Sequence, residues 1–259
     1  DTGYGLNLFT REAYIAIWIV IFSLMGCYLS GKIKFSHDSD VAHIGVFRLF
    51  LVIATFSFVV YLIPGLFGAP LNMISGLTPP MSAQQFNVSK PAAHAPGTLE
   101  NTTYSKLCGT PKFSDKLHLP HGLQGYFDYE EGLACAKQQN KLVLLDFTGH
   151  SCSNCKKMAA DVWSDPEVRE LLEQYIIIAL YTDDKTELPE SEWITSKVDG
   201  KVKKTMGKRN ADFEIDRFNT NTLPYYVVLD NDGNPLTGKG VGYVNKKEFI
   251  TFLKTALNN

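Results

Sequence analysis

Two long segments near the start of the chain carry no charged residue, and they constrain its structure more than any other feature. Residues 13–31 read AYIAIWIVIFSLMGCYLSG, and residues 49–67 are similarly apolar. At about 1.5 Å per residue, a helix of this length nearly crosses a hydrocarbon core of about 30 Å. Two buried helices of a soluble domain are the alternative, but such long uncharged runs are rare in soluble cores. The sequence therefore predicts a transmembrane helical hairpin within residues 1–71, with spans at about 13–31 and 47–67.

Basic residues predict how the hairpin is oriented. Lys32, Lys34 and Arg48 lie in or beside the loop between the spans, whereas no Lys or Arg follows the second span before Lys90. Because basic loops remain in the cytoplasm, both outer ends of the hairpin are expected on the opposite side of the membrane. The chain starts at Asp1 rather than Met, and a lone hairpin is a poor membrane domain, so we expect further spans upstream.

The rest of the chain divides into a linker and an α/β domain. Residues 72–119 contain several prolines and little periodicity, which predicts an extended linker. Helix and strand signals alternate over residues 120–259, and capping boxes beginning at Asp128 and Asn245 predict two helix starts. The polar, lysine-rich residues 183–204 are interpreted as an insertion. The net charge of −2 argues against a nucleic-acid-binding protein.

Short apolar runs in the α/β domain predict buried strands. These runs are residues 141–147, 175–181 and 225–230. The dipeptide Asp232-Gly233 predicts a hairpin turn, and residues 239–243 are expected to form the returning strand.

The chemistry concentrates at the motif Cys152-Ser153-Asn154-Cys155, which follows a predicted strand and opens a predicted helix. Free N–H groups at a helix start lower the pKa of a thiol. Cys155 lies one turn after Cys152, so the pair can attack a foreign disulfide, form a mixed disulfide and then release it. Half of a zinc site and an inert structural disulfide are alternatives, but no second cysteine or histidine pair follows at ligand spacing.

The residues around this motif resemble a known family. The segment LLDFTGHSCSNCKKM resembles the active-site segment of the thioredoxin superfamily, and Leu223-Pro224 before YYVVLD resembles its cis-proline strand. The wider pattern DFTGHSCSNCKKMAADVWSDPEV, with the preceding spans, resembles the DsbD family of membrane thiol:disulfide interchange proteins. The thioredoxin-like part covers residues 120–259, and the hairpin resembles the last two spans of that family's transmembrane domain.

The resemblance implies a role for five residues. Cys152 would be the attacking cysteine, and Cys155 would resolve the mixed disulfide. Asp146, six residues before Cys152, would be a buried acid that takes the proton of Cys155, whereas a solvated aspartate at a strand end is the alternative. Pro224 would be cis and would expose the backbone of Leu223 to a substrate strand.

Several nearby residues depart from the family pattern or remain unassigned. Ser151 stands where the superfamily often has tryptophan, and Ala159 stands where some DsbD members have an acid. His150 would favour the thiolate if protonated, although an ordinary exposed loop histidine is equally compatible with the sequence. Cys108 and Cys135 are expected either to pair or to remain buried thiols.

The resemblance also implies a function. Electrons from a cytoplasmic thioredoxin would cross an upstream transmembrane domain, reduce the Cys152–Cys155 disulfide and pass to periplasmic disulfide-bearing proteins or domains, in disulfide repair or cytochrome c biogenesis. We therefore expect a protein-disulfide reductase of the bacterial inner membrane, with its thioredoxin-like domain in the periplasm. Membrane lipid would surround the spans, and no cofactor, metal or nucleic acid is expected. An anchored thioredoxin-like binding module and a disulfide oxidase are the alternatives.

Overall fold

The chain forms two units, which are described separately. One comprises residues 7–98 and the other comprises residues 1–6 and 99–259. The computed structural model describes residues 10–36, 38, 43–69, 71–74, 77–79, 106–236 and 238–258.

The first unit is a helical hairpin of α1 (Arg11–Leu29) and α2 (Val46–Leu66). Both helices are long and apolar enough to cross a membrane. The rings of Phe22 and Phe58 pack between them, with centroids 4.8 Å apart. Gly26 allows a close helix approach, because a Cβ atom there would lie 2.8 Å from the Phe56 ring. Many other large apolar side chains on both helices are exposed, as expected for surfaces that face lipid.

Two arginines connect the ends of this hairpin. Arg48 donates hydrogen bonds to the carbonyl oxygens of Leu29 and Tyr28 at 2.5 and 3.1 Å. The bond to Leu29 satisfies a carbonyl group at the end of α1, whereas the carbonyl oxygen of Tyr28 also accepts the N–H of Gly31 at 2.9 Å. At the opposite end, Arg11 donates to the hydroxyl of Thr78 at 3.0 Å. The residues that follow α2 therefore fold back onto the start of α1.

The strands of the second unit are β1 (Gly125–Tyr126), β2 (Val143–Thr148), β3 (Ile176–Tyr181), β4 (Ile194–Thr195), β5 (Val202–Lys203) and β6 (Tyr225–Leu229). They form a four-stranded sheet with the order β1-β3-β2-β6 and a separate two-stranded hairpin, β4-β5. Its helices are α3 (Tyr129–Gln139), α4 (Ser153–Lys157), α5 (Pro166–Leu172), α6 (Met206–Phe218) and α7 (Lys246–Leu257). Strands β1, β3 and β2 are parallel, and β6 is antiparallel to β2.

Alternate residues of the central strand β2 belong to different core clusters. Leu144 joins a cluster that contains residues of α5 and α7, whereas Leu145 and Phe147 join one that contains residues of α3, with Phe213 of α6 packed against it. Because side chains alternate along a strand, helices cover both faces of the sheet. This arrangement confirms the fold class predicted from the sequence, a central mixed sheet flanked by helices.

The predicted caps are present at the starts of two helices. The carboxylate of Asp128 accepts the N–H of Glu131 at 3.2 Å, and the side chain of Asn245 accepts the N–H of Glu248 at 3.1 Å. Each bond satisfies one N–H group that has no partner within its helix. The local sequence thus determines where α3 and α7 begin.

The predicted returning strand at 239–243 is reduced to an isolated bridge between Val241 and Tyr226. Gly240 lies so close to β6 that a Cβ atom there would be 2.4 Å from the carbonyl oxygen of Tyr226. Glycine weakens a regular strand and permits such an approach, which explains why pairing stops after one bridge.

The predicted insertion, residues 183–204, contains β4 and β5 and is attached to α6. The hydroxyl of Ser196 donates to the carboxylate of Asp212 at 2.5 Å. Lys203 lies 3.5 Å from the same carboxylate, and Leu188 is buried in the core. These contacts hold the β4-β5 hairpin against the body of the domain.

The end of the predicted linker also packs against the domain. Leu117 and Leu119 are buried, and Cys108 forms a disulfide with Cys135 of α3. This part of 72–119 differs from the extended linker expected from the sequence, because burial of two leucines and closure of a disulfide both stabilise the packed arrangement. The middle of the predicted linker, residues 80–105, lies outside the described residues.

Candidate active site

Cys152 lies between the end of β2 and the start of α4, and Cys155 lies in the first turn of α4. They form a disulfide, with Cα atoms 5.3 Å apart. Cys152 is the N-cap residue of α4, and its sulfur accepts the backbone N–H of Cys155 at 3.0 Å. Once the disulfide is reduced, a hydrogen bond from an N–H group stabilises a thiolate on Cys152.

Exposure distinguishes the two cysteines. Cys155 is only 8% exposed, whereas Cys152 is half-buried. Attack on a foreign disulfide requires an accessible sulfur. The geometry therefore suits Cys152 for attack and Cys155 for resolution.

The helix changes its winding directly after the motif. Residues Met158–Val162 form a turn of π-helix, a feature that often occurs at functional sites. The carbonyl oxygen of Ala159 in this turn lies 2.6 Å from Nε2 of His121. Within the described part of the chain, no group of three or more His, Cys, Asp or Glu side chains is arranged to hold a metal.

Asp146 is a buried carboxyl group on the strand that leads to the motif. It is 6% exposed, and burial away from water raises its pKa to about 8. The group is therefore largely protonated at neutral pH and titrates close to the range of an ordinary thiol. Glu214 on α6 is a second buried acid, and it was not predicted from the sequence as a site residue. Burial raises its pKa to about 8 as well.

The peptide bond between Leu223 and Pro224 is cis, and it directly precedes β6. Tyr225 pairs with Phe147 near the end of β2, so the Leu223-Pro224 segment lies at the same end of the sheet as Cys152. Among the described residues, no backbone hydrogen bond engages the N–H or C=O group of Leu223. The structure thus brings four predicted site residues to one end of the sheet, with Asp146 within the sheet.

The loop before Cys152 makes contacts that the sequence did not predict. The backbone N–H groups of His150 and Ser151 both donate to the carboxylate of Asp183 at 2.8 Å. The ring of His150 is paired with Asp184 at 2.8 Å and is mostly buried, so it differs from an exposed loop histidine. Burial opposes ionisation of Asp184, but hydrogen bonds from His150 and Thr186 outweigh it and lower its pKa to about 2.

A signal for the two acids was present in the sequence. Asp183 and Asp184 follow the apolar run that forms β3, and the run that forms β2 leads to the motif. Parallel neighbouring strands end at the same edge of a sheet, so residues after β3 lie beside residues after β2. Interpreting 183–204 as an insertion obscured this relationship.

Together, the fold and the cysteine pair define a thioredoxin-like domain that carries a disulfide within a Cys-x-x-Cys motif. Residues 129–257 match the model of a family described as a thioredoxin-like domain. None of the curated proteins compared with the chain matches it.

Several solved structures are similar to this domain. A DsbH oxidoreductase is 21% identical, with 52% of this chain and 85% of that chain covered and a TM-score of 0.40. A thioredoxin from Thermus thermophilus is 22% identical, with 51% and 86% covered and a TM-score of 0.37. The reduced C-terminal domain of DsbD from Neisseria meningitidis is 20% identical, with 48% and 90% covered and a TM-score of 0.32.

Proposed function

We propose that the chain is a membrane-anchored thiol:disulfide oxidoreductase that reduces protein disulfides with the Cys152–Cys155 pair. The observation that carries this proposal is the asymmetry of the pair. The more accessible Cys152 accepts an N–H hydrogen bond at its sulfur, and the less accessible Cys155 is the residue that donates it. An inert structural disulfide does not require this difference between its two sulfurs.

The reaction proceeds in two exchanges. The thiolate of Cys152 attacks one sulfur of the substrate disulfide, so that a mixed disulfide forms and the first substrate thiolate leaves. The thiol of Cys155 then gives its proton to the carboxylate of Asp146 and attacks the sulfur of Cys152, which releases the second substrate thiolate. Two electrons pass to the substrate, and the Cys152–Cys155 disulfide is restored.

Asp146 suits the role of proton acceptor because its pKa is raised to about 8. A base is most effective when its pKa lies near the operating pH and near that of the group that it deprotonates. An exposed aspartate, with a pKa near 4, would be a much weaker base toward a thiol.

Substrate would bind along the backbone before β6. Leu223 is half-buried, and none of the described residues forms a backbone hydrogen bond with its N–H or C=O group, so these groups can pair with an incoming extended segment. Pairing of a substrate strand with these groups would place its disulfide at the end of the sheet that carries Cys152.

The apolar hairpin supports a membrane anchor. Helices α1 and α2 meet the length and composition required for spans, and Lys32 and Lys34 between them favour a cytoplasmic loop. The hairpin would then lie in a bacterial inner membrane, and the thioredoxin-like domain would lie on its periplasmic side. The Cys108–Cys135 disulfide supports this location, because such bonds persist in oxidising compartments.

The resemblance to DsbD supports a relay. In this proposal an upstream transmembrane domain passes electrons to the Cys152–Cys155 disulfide. The reduced domain then serves periplasmic disulfide-bearing proteins or domains, including those needed for cytochrome c biogenesis.

Insulin reduction by the full chain in detergent tests turnover. With dithiothreitol as electron donor, the wild-type chain is expected to accelerate insulin precipitation, and Cys152→Ser is expected to abolish the acceleration. Cys27→Ser is the matched control, because Cys27 is the free cysteine of the described residues and lies in α1. Equal rates for wild type and Cys152→Ser would support the alternative of an anchored binding module.

A glutathione titration tests direction. A reductase has a potential near that of thioredoxin, about −270 mV, whereas a strong oxidase lies near −120 mV. A measured reduction potential near about −120 mV would contradict the proposed reductase and would support the alternative, a disulfide oxidase.

A further inference from the structure

We infer that Asp183 and Asp184 are positioning residues for Cys152, and that they place negative charge beside the backbone that carries its sulfur. This inference rests on the proposed exchange function. Residues 183–204 were interpreted from the sequence as an insertion into the minimal fold. The inference gives the first two residues of this segment a role in the reaction.

Asp183 holds the loop through both of its carboxylate oxygens. Oδ1 accepts the N–H of His150 and Oδ2 accepts the N–H of Ser151, each at 2.8 Å. Gly149 allows this approach, because a Cβ atom at that position would lie 3.1 Å from Oδ2 of Asp183. Two bonds from one carboxylate to consecutive N–H groups fix the backbone immediately before Cys152.

Asp184 holds the same loop through a side chain. Its Oδ2 atom lies 2.8 Å from Nε2 of His150, and its Oδ1 atom accepts the N–H of Thr186 at 2.7 Å. The His150 ring stacks on Tyr181, the last residue of β3, with centroids 4.5 Å apart. The histidine is therefore directed toward β3.

The turn that carries both acids is itself fixed by α6. The backbone of Asp184 lies against Gly207, where a Cβ atom would be 2.5 Å from the Asp184 carbonyl oxygen. Asn210, one turn further along α6, donates to the carbonyl oxygen of Tyr181 at 3.0 Å. A rigid support of this kind is required if the acids are to determine the position of the loop.

The two carboxylates also affect the chemistry of the thiol. Their negative charge opposes the effect of the Cys155 N–H group, because a nearby like charge disfavours a thiolate on Cys152. Destabilising the thiolate favours the disulfide over the dithiol, which makes the domain a stronger reductant. Several elements around the loop carry other titratable groups. Those on β2, the loop, α4, the end of β3 and the turn after it are Asp146, His150, Lys156, Lys157, Tyr181, Asp183, Asp184 and Lys185. Those on α6 are Lys208, Arg209, Asp212, Glu214, Asp216 and Arg217.

The test compares Asp183→Asn with wild type, using the full chain in detergent after reduction. Iodoacetamide alkylation of Cys152 is measured between pH 5 and pH 10 by mass spectrometry, and the dithiol–disulfide equilibrium is measured against glutathione. We expect the variant to be alkylated roughly three- to tenfold faster at pH 6. We expect its equilibrium to shift toward the dithiol by a similar factor, as for loss of one partly exposed unit charge.

Two further variants separate charge and position from general damage. Asp183→Glu keeps the charge and is expected to restore much of the wild-type equilibrium. Asp232→Asn removes an exposed carboxylate after β6, and the β2–β6 register places this turn at the opposite end of the sheet from Cys152. It is expected to leave both measurements unchanged.

The outcomes distinguish this inference from the proposed function. If wild type reduces insulin and Asp183→Asn shows no change in alkylation or equilibrium, the inference is wrong and the function stands. If Cys152 of wild type reacts with neither iodoacetamide nor insulin, the proposed function is wrong. Should Asp183→Asn not fold, Asp184→Asn is measured instead, because it leaves both Asp183 bonds to the loop in place. The same direction of change supports the inference, and no change overturns it.

Discussion

Asp146 lies directly opposite Tyr226 in the antiparallel ladder between β2 and β6. Both side chains are buried, and in the described part of the chain the Oδ1 atom of Asp146 has no hydrogen-bond partner. Burial, and then the charge of Asp146, hold the pKa of Tyr226 well above its usual value. A buried acid without a cationic partner disfavours the folded state at neutral pH, so it is expected to remain for a functional reason.

Replacing Asp146 with asparagine is expected to stabilise the domain at neutral pH. The folded-state pKa of about 8 lies above the ordinary value of 3.8. Stability from the protonated acid is therefore fully present below pH about 4 and is lost progressively as the pH rises to about 8. Urea unfolding of the full chain should show Asp146→Asn to be roughly 2–4 kcal/mol more stable at pH 7, and equal to wild type near pH 4. Equal stability at both values would show that Asp146 ionises normally.

The same substitution is expected to slow disulfide exchange. Without the carboxylate, Cys155 loses the base that we propose for it, so insulin reduction should fall roughly tenfold or more, and the mixed disulfide should persist longer. Glu214→Gln is the matched control, since Glu214 is buried and its pKa is also raised to about 8. If Asp146→Asn and Glu214→Gln slow insulin reduction equally, loss of any buried acid has this effect. Asp146 would then not be the specific proton acceptor for Cys155.

Loss of the Cys108–Cys135 disulfide is expected to weaken the domain but leave its chemistry intact. The bond closes a loop with a sequence separation of 27 residues, and a loop of this size contributes about 3.5 kcal/mol. Cys108→Ser should lower the thermal midpoint under oxidising conditions, and added dithiothreitol should remove the difference from wild type. Insulin reduction below the midpoint should match wild type. A large loss of activity in the folded variant would indicate that this disulfide participates in exchange.

The orientation of the hairpin is tested by labelling single cysteines. In a background with Cys27, Cys152 and Cys155 replaced by serine, the remaining native cysteines are the disulfide pair Cys108–Cys135. Lys34→Cys in this background should react with a membrane-impermeant maleimide only after the membrane is permeabilised. Lys116→Cys, an exposed position next to the domain, should react in intact spheroplasts. The reverse pattern would place the domain in the cytoplasm.

Local chemistry was sufficient to predict much of the domain. Asp128 and Asn245 cap helices because a side-chain acceptor three residues before a glutamate N–H is a local arrangement. The apolar runs that form β2 and β3 are buried on both faces, so their identity as strands does not depend on distant partners. The cysteine pair was likewise recognisable from its spacing and its position after a strand.

Features that depend on distant contacts were not predictable in this way. Val241 pairs with Tyr226 through one bridge only, because the close approach of Gly240 is a property of the packed domain. The contacts of Asp183 and Asp184 required knowledge that β2 and β3 are neighbours. In the sequence, nothing distinguishes Glu214 from other helix residues, and only the tertiary fold shows that it is buried.

Trapping a mixed disulfide tests whether Cys152 is the attacking residue. Reduced Cys155→Ser, as the full chain in detergent, is incubated with insulin, and the adduct is located by non-reducing electrophoresis and peptide mass spectrometry. We expect a covalent adduct on Cys152 that dithiothreitol releases, and no adduct for Cys152→Ser. Absence of the adduct, or its attachment at a different cysteine, would contradict the assignment of Cys152 as the attacking residue.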